Sequence, residues 1–185
     1  MPILPKTIPP VSLAVTAVIL RSTPAYLNDI IAKEIYPCAP HTTAGKRRVL
    51  DEVDVLGLRV FEHLAGSNTC SNQREAGKMA CSVVHWMRSP MPAGSALHRV
   101  VFPTNWSYPH GVPIYKTEDG TLVGCDGESP KEEEAYGGRS ATTVYVSLSL
   151  EDIRSVFRQK IEDGTLFIPS VEVVKVSAAS GSEAE

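Results

Sequence analysis

Thr43-Ala44-Gly45-Lys46-Arg47-Arg48-Val49-Leu50-Asp51-Glu52-Val53-Asp54-Val55-Leu56 places three consecutive cations directly before a strong helix start. Thr42, Thr43 and Val49 favour strand, and Ala44-Gly45 can turn. Residues 41–49 are therefore expected to form a small β-hairpin with Lys46, Arg47 and Arg48 on its return strand. Alternation along a strand would put Lys46 and Arg48 on one face and Arg47 on the other. Asp51 then reads as an N-cap, with Asp54 three residues on favouring the positive end of the helix dipole. Val53, Leu56, Val60, Phe61 and Leu64 recur at helical spacing, and Gly66 ends the run.

Upstream, residues 1–10 contain four prolines and read as an extended arm. Ser12 can cap a short, nearly all-apolar helix from Leu13 to Leu20. Thr23 as cap with Pro24 at the first helical position starts a second helix, expected to reach about Ile35. Leu27, Ile30, Ile31 and Ile35 fall on its inner face, leaving Tyr26, Asn28, Asp29 and Lys33 outward. Two short helices divided by a tight capped break are the helix-turn-helix arrangement.

Downstream, Asn72 and Glu75 start a fourth helix over 73–88, whose stripe is Ala76, Met79, Ala80, Val83, Val84 and Met87. Residues 91–113 are rich in Pro, Gly and Ser and read as a linker or an irregular packed segment. Asp119-Gly120 between 114–118 and 121–125 is a hairpin signal. A strand over 142–148, a helix from Leu150 to Glu162 capped by Ser149, and an extended segment over 165–176 complete a small C-terminal unit, 114–176. Residues 177–185 read as a disordered Ser/Ala/Glu tail. The fold class expected is α+β: a winged helix-turn-helix domain over 11–90, then a small α+β domain.

Charge is unevenly placed. Residues 1–50 carry six Lys/Arg against two Asp/Glu, whereas residues 101–150 carry three against seven and 151–185 four against seven. A phosphate backbone would be drawn to the front and repelled by the back. The apolar run Val11–Leu20 is about half what a membrane span needs, so no membrane partner is expected. Only Lys6 precedes it and Arg21 interrupts it, which argues against a signal peptide. The four cysteines lack any CxxC pair and read as free thiols in a cytoplasmic protein. Cys38-x-x-His41 and Cys81-x-x-x-His85 have metal-compatible spacings, yet cysteine is commonly buried, and neither a metal nor another cofactor is expected. There is no Gly-rich phosphate loop, nucleophile elbow or close-spaced carboxylate pair, so the chain reads as non-enzymatic.

The order helix, turn, helix, basic wing, helix, helix resembles the DNA-binding domain of MerR-family regulators and of the related excisionases. The likeness is most specific over residues 43–64, where the basic wing precedes an acidic cap and an Asp-Val-x-x-Leu-like helix entry. Ser71-Asn72-Gln73-Arg74-Glu75-Ala76 is similar to the start of that family's fourth helix. The family's Arg-containing recognition-helix signature and its long dimerising coiled coil are not present in this sequence, so promoter untwisting is not carried over.

The resemblance implies a non-enzymatic, sequence-specific regulator of transcription or of mobile-element excision, working as a homodimer on double-stranded DNA. Lys46, Arg47 and Arg48 would grip phosphates, helped by Ser22, Thr42 and Thr43 hydroxyls and by the start of the second helix. Asn28 can make the paired hydrogen bonds an adenine edge offers, with Tyr26 and Lys33 reaching flanking positions. The acidic C-terminal unit suits self-association or a protein partner. An antitoxin-like binding module without DNA contact is the alternative reading.

Overall fold

The computed structural model describes residues 6–42, 46–67, 69–103, 111–129 and 141–166. Five helices and two antiparallel sheets are present among them, so the chain is α+β. In chain order these are β1 (Val11–Ser12), α1 (Leu13–Leu20), α2 (Pro24–Ala32), β2 (Val49–Leu50), α3 (Glu52–Gly66), α4 (Gln73–Arg88), β3 (Ser95–Pro103), β4 (Val112–Thr117), β5 (Leu122–Val123), β6 (Ala141–Tyr145) and α5 (Val146–Glu162).

The helix starts follow their caps. Ser12 Oγ accepts from Val15 N, Thr23 Oγ1 from Tyr26 N at 3.2 Å, and Asn72 Oδ1 from Glu75 N at 2.9 Å. Asp51 and Asp54 exchange backbone and carboxylate contacts in a full capping box. Each cap satisfies one of the N–H groups a helix start otherwise leaves open.

α2 is shorter than its apolar pattern suggests, ending at Ala32 instead of Ile35. Glu34 takes a left-handed φ of 53°, and both Ile35 N and Tyr36 N return to the Ile30 carbonyl. Pro37 disfavours helical backbone at Tyr36, and the turn sends the Tyr36 ring into the core against Phe61, centroids 6.0 Å apart.

Among the described residues of 41–49 there is no hairpin pairing. Val49–Leu50 is a strand, but its partner is Val11–Ser12, in the register Val11↔Leu50 and Ser12↔Val49. Val11–Ser12, just after the arm, thus supplies the pairing that Thr42 and Thr43 were expected to give; Thr43 itself lies outside the described residues. Ile8 is buried, and its N–H donates to Glu52 Oε1 at 2.9 Å, so the arm is seated on α3 at this point.

Residues 91–113, expected to be a linker, supply β3. This strand pairs with β4 on one side and β6 on the other in the order β5-β4-β3-β6. Its run Val100-Val101-Phe102 is buried throughout, as befits a strand covered on both faces. A bulge between Leu97 and Arg99 shifts its register with β4. The Asp119-Gly120 turn forms as the sequence suggests, with Gly120 at φ 91° and Gly120 N donating to the Thr117 carbonyl.

α5 begins four residues before Leu150. Val146, Leu150, Ile153 and Phe157 form one inward stripe, and Ser149 Oγ bonds back to the Tyr145 carbonyl instead of capping. The expected extended segment over 165–176 and the tail over 177–185 lie largely outside the described residues.

α5 packs on α1, α3 and β3, and core side chains of the helical half and the sheet belong to one hydrophobic cluster. Two ion pairs reinforce the seam. Arg154 makes a double contact with Glu52 (2.8 and 2.7 Å), and Arg59 reaches Asp152 at 2.7 Å. No described helix is long and apolar enough to cross a membrane.

Candidate nucleic-acid interface

α2 buries Leu27 and Ile30 and exposes Tyr26, Asn28 and Asp29, and Lys33 is exposed at its C-cap, as the sequence suggests. Asp29, a carboxylate that would repel phosphate, pairs with Lys33 at 2.8 Å across one helical turn. Both partners are more than half exposed, so the pair is weak and a competing anion can take Lys33 from it.

The Glu62 carboxylate of α3 lies near the Ser22 hydroxyl. Burial raises the Glu62 pKa, and the Ser22 hydroxyl and the Arg59 charge only partly oppose this. Tyr26 is raised as well, by burial and then by the Glu62 charge. Glu62 thus faces the start of α2, beside the expected phosphate anchor. Its proximity is a tertiary contact across forty positions of chain, and no local pattern in the sequence announces it.

Lys46 and Arg47 are exposed, and among the described residues neither makes an ion pair or side-chain hydrogen bond. Arg48 is half-buried, with its Nε buried and without a hydrogen-bond partner among the described residues. The expected alternation is therefore corrected: Arg48 turns inward and Arg47 outward. Residues 46–48 precede the paired strand, so the period of two does not govern them. Thr42 is exposed.

The geometry relates the two parts through α1. Val49 pairs with Ser12, the cap of α1, whereas Ser22 and Thr23 follow the other end of that helix. Eight residues of α-helix span about 12 Å. The strand that follows the cations therefore pairs beside the start of α1, and α2 begins beyond its other end.

Two cations that the sequence reading left out belong to this region. Arg21 forms the α1–α2 turn with a left-handed φ of 57° and an exposed side chain. Arg74, in the first turn of α4, lines a shallow groove of about 630 Å³ together with Lys33, Ile35, Asn72 and Gln73. The groove brings the end of α2 and the start of α4 together, a juxtaposition that only the folded chain reveals.

The cysteines depart from expectation. Cys38 and Cys81 form a disulfide, leaving Cys70 and Cys125 free. Among the described residues no three His, Cys, Asp or Glu side chains are grouped so as to hold a metal ion, His41 and His85 included. The chain matches no protein-family model and no curated protein.

Proposed function

We propose that this chain is a non-enzymatic, sequence-specific binder of double-stranded DNA that regulates transcription or mobile-element excision. The observation that carries the reading is the exposure of Lys46 and Arg47, which make no ion pair among the described residues, at the front of a chain whose net charge is −3. Phosphates supply the missing counter-charge. Arg21, Lys33 and Arg74 extend the basic region, and Asn28 with Tyr26 on the exposed face of α2 reads base edges. A single domain of this size buries little DNA, so two copies on paired half-sites are the natural arrangement.

A mobility-shift experiment with salt titration tests the reading. Lys46→Ala with Arg47→Ala should weaken binding to all duplexes alike and flatten the log–log salt slope by about 2. Asn28→Ala should relax preference at one base pair while leaving the slope unchanged. No retardation of any duplex at low salt would end the proposal.

A second reading is a protein-binding module of the antitoxin kind. It is favoured by Tyr145 and Leu148, which lie close together in sequence at the β6–α5 junction and are 43 % and 68 % exposed. Loss of partner capture on Leu148→Glu, with DNA binding absent from the parent chain, would select it.

A further inference from the structure

We propose that Cys38 and Cys81 act as a reversible thiol–disulfide lock that fastens the chain leaving α2 to the middle of α4. The two Cα atoms are 5.5 Å apart, within the ordinary range for a bridge. Both residues are half-buried, so a small thiol or disulfide can reach them.

The bridge falls where other restraint is sparse. α2 has only nine residues and buries two side chains, Leu27 and Ile30, too little for a helix of that length to hold its place alone. It packs chiefly on α1. Between Ala32 and Val49 the described chain forms no strand or helix. Tyr36, set against Phe61, and Ile35, whose carbonyl lies against Gly77, are the non-covalent anchors. The bridge adds a covalent one just before the residues that lead to Lys46 and Arg47.

The chemistry is thiol–disulfide exchange. A low-molecular-weight thiolate attacks one sulfur of the bridge and expels the other cysteine as a thiolate. A second small thiol then resolves the mixed disulfide. Two electrons pass from the small thiols to Cys38 and Cys81, the small disulfide leaves, and the protons end on the two protein thiols. Oxidation is the reverse, with the small disulfide as acceptor. For the DNA-binding reading above, on which this consequence rests, the oxidised form holds α2 and the basic segment in one arrangement and binds the more tightly.

The full-length chain carrying Cys70→Ser and Cys125→Ser is equilibrated with reduced or with oxidised glutathione. Peptide mapping without reduction, hydrogen exchange over residues 33–42 and duplex affinity are then measured. Expected are a single Cys38–Cys81 cross-linked peptide in the oxidised sample and exchange over 33–42 slowed about tenfold or more relative to the reduced sample. Adding Cys38→Ser and Cys81→Ser should hold exchange at the reduced level in both buffers. Failure of the two cysteines to pair, or equal exchange in the two states, overturns the lock. Equal DNA affinity in the two states overturns its link to binding. Absence of DNA binding in both overturns the earlier reading and leaves the exchange data to decide the lock.

Discussion

Arg88, the last residue of α4, sets a guanidinium nitrogen 2.7 Å from Oδ1 of Asp54 in the first turn of α3. The same nitrogen lies 3.1 Å from Asp51. Burial raises the Asp54 carboxyl, with the Asp51 charge adding to the rise and Arg88 opposing it. The Asp51 carboxyl is itself pushed up by burial, but the Asp54 N–H and Arg88 outweigh this and hold it low. One cation thus reconciles two carboxylates that a capping box brings together.

Removing that cation should cost more than a surface pair and less than a fully buried one. Asp54 is almost completely enclosed, whereas the Arg88 side chain is 45 % exposed. Arg88→Met is expected to destabilise the fold by about 2 kcal/mol, between the surface and buried limits. Urea denaturation at neutral pH would check this, and a loss under half a kcal/mol would show that solvent replaces Arg88.

The Glu52–Arg154 contact should appear as an acid-sensitive component of stability. Burial pushes the Glu52 carboxyl up, but hydrogen bonds from Arg154 and from Ile8 N–H, with the Arg154 charge, bring it below the ordinary glutamate value. A carboxyl lowered on folding stabilises above its unfolded pKa, about 4.3, and the contribution fades as pH falls through the folded pKa. At pH 7 Glu52→Gln should cost about 1–2 kcal/mol. Denaturation at stepped pH should show parent and variant converging in acid; a gap that stays constant would place the effect elsewhere.

Three glycines in helices should respond with different signs. A Cβ on Gly57 would overlap the Tyr36 hydroxyl and a Val84 methyl, and one on Gly77 would overlap the Ile35 carbonyl oxygen. Gly66, at the end of α3, has nothing within 4 Å of that position. Alanine normally gains up to about 1 kcal/mol over glycine in a helix. Gly66→Ala should follow that rule, whereas Gly57→Ala and Gly77→Ala should lose stability, Gly77→Ala the more because backbone must move. Thermal melts of the three variants side by side would decide.

What the sequence made legible was local. The caps at Ser12, Thr23, Asp51 and Asn72 each bond a group three residues away, so residue type and spacing suffice to find them. The exposed face of α2 was legible for the same reason. β3 was missed because Pro90, Pro92 and Gly94 suggested punctuation, and because Val100-Val101-Phe102 shows no alternation when both faces are covered. The wing was misjudged because strand preference in Thr42 and Val49 cannot name a partner, and the partner was Val11–Ser12. The Cys38–Cys81 bridge and the Lys33–Arg74 groove each join residues far apart in sequence, and nothing near them in the chain signals the meeting.

Tyr36 offers a prediction of opposite sign to most core changes. Its ring is fully buried, yet its hydroxyl has no hydrogen-bond partner among the described residues. Burial, with Asp54 adding to it, drives its pKa far above that of an ordinary phenol. Tyr36→Phe keeps the packing against Phe61 and removes an unsatisfied donor, so stability should hold or rise by about 1 kcal/mol. A loss of comparable size would reveal that the hydroxyl is satisfied after all.

The position of β3 in the middle of its sheet bears on how the chain matures as it leaves the ribosome. The elements from β1 to α4 emerge first with their mutual contacts complete, and can settle while synthesis continues. β3 follows at once, but its second neighbour, β6, arrives only when residues 141–145 have been made. Until then the row of amides and carbonyls from Arg99 to Pro103 stands open to any other extended chain. Nascent polypeptides stalled in that interval are where aggregation, or attention from chaperones, should concentrate.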